Sequence, residues 1–409
     1  MHNALAGIRV VEMSHVIAGP MTAHLLGAFG AEVIKIEEPV DGDALRRSRR
    51  AVDATTVPPA FAVLNQRKRS LAIDIRAPAS RRYVLQLLAQ TDVVIENYRP
   101  GALARYGLDY AAVRELNPRI VYCSISGYGQ TGPWSARPAY DHVVQAAVGM
   151  MMINGAEGGP PIKTGFPLVD TATAMMGALS VCAALLRRRH EGAGCHLDLS
   201  MVQGAMQLLL PTASAAFSGG RNPERMGNAG WTGSPGADTF QCADGWIAIA
   251  ANTFAQIERL ARALKLDGLA AEVHQAGGAT PDRFARAADV PGLHDRLAGA
   301  IAGQTGAALE VHLNAAGVPA ARVRTLIDFL RESAELSFAG LGVHRVHGPQ
   351  GTAWVPAAKI DASPRHEAPA ETHYPGHGEH TREILRALGA GDAELEQLER
   401  AGLIRDSSP

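Results

Sequence analysis

Residues 165–189 read GFPLVDTATAMMGALSVCAALLRRR, and the rest of the chain is organised around them. An approach through Gly165, Phe166 and Pro167 leads to Asp170. Sixteen residues without a formal charge then separate Asp170 from Arg187, Arg188 and Arg189. Asp170 reads as a helix N-cap, because its carboxylate can accept the orphan N–H groups of a first turn and suits the positive end of the helix dipole. The Ala-, Met- and Leu-rich segment behind it is apolar on nearly every side, which predicts a helix buried in a core. The arginines complement the negative helix end, and Gly192 and Gly194 stop it. Asp170 also has a chemical reading. A carboxylate at the head of a buried helix can attack an acyl group to give a covalent intermediate. With an ordinary pKa near ~3.9 it needs no base at neutral pH. Capping is the commoner use of such a residue, and this segment alone leaves both open.

A chain of 409 residues exceeds one ordinary compact domain, so two are expected. The 47% hydrophobic and 19% charged content is globular rather than disordered. A net charge of −1 gives no electrostatic reason to expect nucleic acid or an acidic membrane as partner. Cys123, Cys182, Cys195 and Cys242 are scattered without metal-like spacing and read as inert thiols. The N-terminus passes directly into GIRVVEM, a strand, and no uncharged apolar run reaches the length of a membrane span. The expectation is a soluble, cytoplasmic protein.

Short β-branched runs at 8–13, 32–37, 70–75, 92–96 and 120–126 alternate with helical patterns at 20–29 and 78–89. That alternation predicts an α/β fold with a doubly wound parallel sheet. A polar stretch, 39–69, ends in Arg67-Lys68-Arg69. After the anchor helix come an apolar helix at 201–217 and a Gly/Asn-rich segment at 219–236, where a domain boundary is placed. A hairpin follows at 239–250, then helical segments to about 317, an extended run at 318–323 and a helix at 326–335. Irregular strands and loops are expected through 365, and surface helices at 381–388 and 392–401.

Residues 127–132, GYGQTG, match G-x-G-x-x-G after a strand, but Pro133, Trp134 and Pro138 prevent the helix a dinucleotide site requires. A nicotinamide or flavin cofactor is rejected. His373, His377 and His380 are separated by Pro375, Gly376 and Gly378, with no acidic ligand set beside them, and read as a solvated loop rather than a metal site. Arg67-Lys68-Arg69, Arg99 and Arg105 fall near strand ends, where phosphates bind in open α/β sheets, although most basic clusters are only solvated surface. Gly227, Gly230, Gly233 and Gly236 make either a mobile loop or a domain linker.

Several stretches together resemble the class III CoA-transferase family, which includes formyl-CoA and carnitine CoA-transferases and has α-methylacyl-CoA racemase as a relative. They are GIRVVEMSHVIAGPMTAHLLGAFGAEVIKIE, NQRKRSLAIDI, VVIENYRPGALARYGL, ELNPRIVYCSISGYGQTGP, VDTATAMMGALSVCAALLRRR with CHLDLSM, and GHGEHTREIL. The resemblance spans nearly the whole chain and is weakest at 264–316. It implies that Asp170 is a nucleophile. The carboxylate attacks an acyl-CoA thioester to give an aspartyl–acyl anhydride and CoA thiolate, the thiolate returns to form an aspartyl-CoA thioester, and an acceptor acid takes the CoA. An anhydride demands exclusion of water, and the developing oxyanions need fixed donors, for which the backbone N–H groups behind Asp170 are available.

The resemblance further implies that CoA lies against the N-terminal half, at Ile17 and Ala18, at Ile73, Ile75 and Arg76, and at Asn97, Tyr98 and Arg99. Arg105 matches a CoA-binding arginine, and Arg137 to Tyr140 would run beside the pantetheine. Gly227, Gly230 and Gly233 sit where the family carries a glycine loop over the intermediate. Glu38 stands where formyl-CoA transferase has a basic CoA contact. The implied fold is an interlocked homodimer. Its large Rossmann-like domain is formed by 1–218 and a return segment, 326–409, around a smaller α+β domain at 219–325. A racemase places a His-Asp pair where this chain has Tyr140-Asp141, and tyrosine, with a pKa near ~10, is a poor base. Transferase is therefore preferred over racemase and over a non-catalytic acyl-CoA-binding homologue. Lys163, Arg221 or Arg225 could pair with the second carboxylate of a succinate-type acid, while Met150, Met151 and Met152 read as core.

Overall fold

The computed structural model describes residues 3–48, 59–275, 284–335, 341–358 and 372–407. Six short, mostly buried runs form parallel strands: β1 (Arg9–Met13), β2 (Glu32–Glu37), β3 (Arg69–Ile73), β4 (Val93–Glu96), β5 (Val121–Ser126) and β6 (Cys195–Ser200). A last strand, β15 (Ile404–Arg405), joins antiparallel to β3, and the sheet order is β15-β3-β2-β1-β4-β5-β6. The order reverses between β1 and β4. In a doubly wound sheet the ligand crevice opens outside the carboxyl ends of the strands at that reversal.

Alternation along each strand sends side chains to two apolar layers. On one face Val11, Met13, Ile34, Ile36 and Leu71 meet α3 (Pro78–Leu88), α4 (Tyr110–Leu116), α13 (Thr381–Ala387) and α14 (Asp392–Arg400). On the other, Val10, Val33, Val93, Ile95 and Cys123 meet α1 (Ala18–Ala28) and the anchor helix, α7 (Leu168–Glu191). Helices α2 (Pro59–Asn65), α5 (Asp141–Ala147) and α8 (Met201–Gly219) complete this part.

α7 departs from the sequence expectation. It is apolar nearly all round, yet only one face is buried, through Val169, Ala174, Ala178, Val181 and Leu185. Met175, Leu179 and Leu186 on the other side are 59%, 71% and 58% exposed. By length and composition alone this helix could also cross a membrane.

The chain divides into two compact units. The first comprises Met1–Val148, Thr164–Ser218 and Glu332–Pro409, and the second Gly149–Lys163 and Gly219–Arg331. The stretch 1–218 expected to be continuous is therefore interrupted, since residues 149–163 belong to the second unit. That unit contains α6 (Met150–Ile153) and an antiparallel sheet of β7 (Gly236–Cys242), β8 (Gly245–Ala251) and β11 (Ala320–Arg322) in the order β11-β8-β7. It also holds a small ladder of β9 (Val273–Gln275) with β10 (Ala285–Ala287). Its core joins Phe240, Ile247 and Ile249 to the apolar faces of α9 (Phe254–Ala263), α10 (Val290–Ile301) and α11 (Gly306–Ala315). Each of these helices starts at a side-chain cap, from Thr253, Asp289 and Thr305 respectively.

α12 (Leu326–Glu335) carries the chain back to the first unit. There β12 (Leu341–Gly348) and β13 (Gly351–Ala358) form a regular hairpin in place of the irregular segment expected. β14 (Thr372–His373) pairs with β12, and residues 359–365 of the expected irregular stretch lie outside the described residues.

Candidate active site

The crevice at the reversal is built on a strained turn. Val16, between β1 and α1, has φ +69°, a left-handed conformation that a β-branched residue adopts only when its surroundings impose it. The imposing contacts are visible. Asn97 bridges the His15 backbone, accepting from its N–H at 3.0 Å and donating to its carbonyl at 2.8 Å. Asp43 accepts from the Val16 N–H at 3.3 Å, and Lys35 donates to the Ser14 carbonyl at 2.8 Å.

Beneath the turn lies a buried ionic cluster. Lys35 pairs with Glu12 at 2.7 Å and Asp43 at 3.0 Å. Lys68 pairs with Glu12 at 2.5 Å and donates to Asn65 and the Pro20 carbonyl, both at 2.9 Å. Burial alone would raise the Glu12 carboxyl, but the two ammonium groups overcome it and hold the pKa below the usual value. Burial, with the charge of Lys35 beside it, brings Lys68 down to about 8 despite Glu12. Two members of Arg67-Lys68-Arg69 are thus committed to the fold, since Arg69 pairs with Glu32 at 2.8 Å and Glu383 at 2.9 Å. Sequence leaves the cluster open between phosphate binding and solvated surface, and Lys68 fits neither, since it is buried and paired, while Arg69 is held in ion pairs at the start of β3.

Of the residues singled out for CoA, the fold brings Ile17, Ala18, Asn97 and Tyr98 together at the carboxyl ends of β1 and β4, with the Tyr98 ring edge-on to His15 at 5.8 Å. Ile73 is a core side chain, 1% exposed, which leaves only its backbone to a ligand. Ile75 packs on the same core, and Arg76 turns onto Asp74 at 2.8 and 2.9 Å. Arg99 lies on the wall of a cavity of about 250 Å³ with Glu96, Tyr110, Ser124, Gln130 and His196. Burial pushes Glu96 there up to about 7. Arg105 is exposed in a short turn after Leu103. Arg137 covers the Trp134 ring at 4.1 Å, and Tyr140 is exposed just before α5. Glu38 is occupied by its own turn, accepting from the N–H groups of Val40 and Asp41 at 3.1 and 2.7 Å.

The segment after Gly127 forms turns until α5 begins at Asp141. Gly127 has a packing reason, because a Cβ there would stand 2.2 Å from that of Ala139. Near the C-terminus, His373 contacts Glu379 at 2.9 Å and His377 contacts the Glu38 carbonyl at 2.8 Å. His380 accepts from the Ser70 N–H at 3.3 Å. Among the described residues no three His, Cys, Asp or Glu side chains are grouped to hold a metal.

In the second unit, Gly227 and Gly233 take left-handed backbone angles, and Gly230 approaches Ala237 so closely that a Cβ would stand 2.5 Å from its methyl. Hydrogen bonds from Gly227 to Gly155 and from Gly230 to Ala237 tie the segment down. Arg225 donates to the Met152 and Pro160 carbonyls, both at 3.0 Å, and so supports backbone.

Asp170 is the third residue of α7, not its cap; Pro167 holds the cap position. The capping group comes from elsewhere. One oxygen of Asp141, the first residue of α5, accepts from the Val169 and Asp170 N–H groups at 2.7 and 3.1 Å. The N–H groups expected to serve oxyanions behind Asp170 are therefore filled. The Asp170 carboxylate itself accepts no hydrogen bond among the described residues. Burial, with the Asp141 charge added to it, pushes its pKa up to about 7, against the ordinary value expected from sequence. Gln145, which donates to Asp141, and Thr164, which is bound to Gln145, were also missed. The acid at the start of α5 was the available signal, but its partner lies 28 residues away.

A carboxyl that accepts no hydrogen bond among the described residues thus stands at the head of a helix packed on a doubly wound sheet, and the fold is that of an α/β protein. The chain belongs to CoA-transferase family III, which it matches over residues 5–381, and it is an enzyme of that class. It is 36% identical to the succinate–glutarate CoA-transferase of Agrobacterium fabrum over 271 residues, 65% of this chain and 68% of that one. It is 32% identical to the succinyl-CoA:glutarate CoA-transferase of Mus musculus over 401 residues, 98% of this chain and 90% of the other. The crystal structure of a CAIB/BAIF family protein from Brucella suis superposes with a TM-score of 0.78 at 30% identity, covering 95% of this chain and all of that one.

Proposed function

We propose that the enzyme moves CoA from a succinyl-type thioester to a short dicarboxylic acid through covalent intermediates on Asp170. The observation that carries this is the Asp170 carboxylate, half-buried at the head of α7 and committed to no hydrogen bond among the described residues. The names of the relatives support the dicarboxylate. One Asp170 oxygen attacks the thioester carbonyl, the C–S bond breaks, and CoA leaves as thiolate. The thiolate attacks the aspartyl carbonyl of the anhydride, releasing the donor acid and leaving aspartyl-CoA. The acceptor carboxylate repeats the two steps in reverse, which restores Asp170 and yields the new thioester.

In this reading Ile17, Ala18, Asn97 and Tyr98 shape the CoA crevice, and Ile73 contributes main chain beside Ile75. Arg76, Arg99 and Arg105 face the phosphates, and Arg137 and Tyr140 flank the pantetheine. A homodimer belongs to it as well. The exposed α7 face bearing Met175, Leu179 and Leu186 is costly to leave in water, and a second copy would cover it. The test is intact-mass spectrometry after incubation with short acyl-CoAs and a hydroxylamine quench. A modification mapping to Asp170 and lost in Asp170→Ala is expected. Solvent deuterium entering the α-carbon of the acyl group without any adduct would overturn the proposal in favour of racemisation.

A further inference from the structure

The two carboxylates at the head of α7 live in different surroundings. Asp141 accepts from three donors: the Val169 and Asp170 N–H groups on one oxygen, and the Gln145 side-chain amide on the other at 2.6 Å. Asp170 accepts from none among the described residues. Gln145 is wholly buried, and its amide is spent on this corner. Its nitrogen also donates to the Thr164 hydroxyl at 2.9 Å, and its oxygen accepts from the Thr164 N–H at 3.0 Å. The Thr164 hydroxyl in turn donates to the Phe166 carbonyl at 2.9 Å, which fixes the approach to the helix. One side chain thus holds α5, the approach loop and the capping acid in register.

We infer that Gln145 is a positioning residue. By fixing Asp141 across the head of α7 it makes Asp141 the standing charge of the pair and Asp170 the member that carries the exchangeable proton. Paired carboxylates whose surroundings differ this much divide into a charged and a protonated partner. Asp170 releases its proton to solvent before it can attack. The elements packed against α7 carry other ionisable groups: His24 on α1, Tyr122 and Cys123 on β5, His142 on α5, and Cys195, His196 and Asp198 on β6. Of all these neighbours Asp141 supplies the charge that bears on Asp170. The catalytic consequence rests on the reading of Asp170 as nucleophile; the protonation assignment does not.

The experiment is a ¹³C NMR titration of the whole protein labelled at aspartate carboxyls, without acyl-CoA, with Asp170 assigned by its loss in Asp170→Asn. The wild-type signal is expected to titrate near 7. In Asp141→Asn, which keeps the capping oxygen and removes the charge, the midpoint falls by about one pH unit or more. Gln145→Met, close in shape but without donors, should also displace the midpoint. It should lower kcat on the order of tenfold while leaving KM for the acyl-CoA within about twofold. An Asp170 midpoint in the ordinary carboxylate range, or one unmoved in Asp141→Asn, overturns the assignment. Wild-type kcat in Gln145→Met overturns the positioning role, and if that variant does not fold, Thr164→Val tests the same corner by the same two readouts. Absence of an acyl adduct would sink the transferase mechanism and leave the titration standing, so the two failures are distinguishable.

Discussion

Asp170→Asn should make the folded protein more stable at alkaline pH, by an amount that grows with pH. Folding carries this carboxyl from its ordinary 3.8 to about 7. The sign follows from linkage: a group whose pKa is raised in the folded state binds protons more tightly there, so stability is lost as pH climbs from the unfolded value to the folded one. Below 3.8 the residue is neutral in both states and contributes nothing. Above about 7 it is charged in both, and the full penalty of ionising it beside Asp141 is present. At 1.36 kcal/mol per tenfold in proton affinity, that penalty is about 4 kcal/mol at pH 8.5 and about 1.5 kcal/mol at pH 5. Both are upper figures, because Asp170 retains some contact with solvent.

Asparagine abolishes the penalty at similar size. Its stabilisation relative to wild type should therefore be larger at pH 8.5 than at pH 5 by about 2.5 kcal/mol. Taking this difference removes every pH-independent effect of the substitution, including any change in packing. Urea denaturation of both proteins at the two pH values measures it, provided the transition slopes agree. A gain that does not change between pH 5 and pH 8.5 would mean an ordinary carboxyl at position 170 and would refute the argument that its surroundings withhold solvation.

The remaining predictions concern the frame of the site. Glu12→Gln leaves the buried Lys35 and Lys68 ammonium groups without their shared counter-charge and should cost about 3–5 kcal/mol in denaturation. Adding Lys68→Met should return part of that loss, since one uncompensated charge is then removed. Leu179→Arg, on the exposed face of α7, should convert the proposed dimer to monomer in sedimentation equilibrium, while Arg at the equally exposed Val311 should not.

The sheet was legible because its evidence is local. VVEM, EVIKIE and VVIE are runs of β-branched residues bounded by turn formers, and a strand buried on both faces requires little more. Ends of elements were legible where the stop signal sits in sequence, as at Gly192, which takes a left-handed angle after α7. The hairpin of β12 and β13 was not, because its central His344, Arg345 and His347 break the apolar alternation that would announce it. The fate of Arg67-Lys68-Arg69 was also hidden. Lys68 is a core residue only because Glu12, 56 positions earlier, lies opposite it once β1 to β3 are assembled.

Asp170 shows the same division at a single residue. Sequence placed it at the head of a buried helix, and it is at the head of that helix, although only one face of α7 is buried. A carboxylate near a helix N-terminus can meet the exposed N–H groups and be stabilised as the anion, which keeps its pKa at or below the ordinary value. Which carboxylate meets them is a tertiary fact. Asp141 arrives from α5 and takes the Val169 and Asp170 N–H groups, so the cap that sequence assigned to Asp170 stabilises a different anion. Asp170 is left with the burial and without the donors. The residue proposed to attack is thus also one left without donors for its charge. A carboxylate unsatisfied in the resting state has more to gain from forming a neutral ester-like bond than one held by donors.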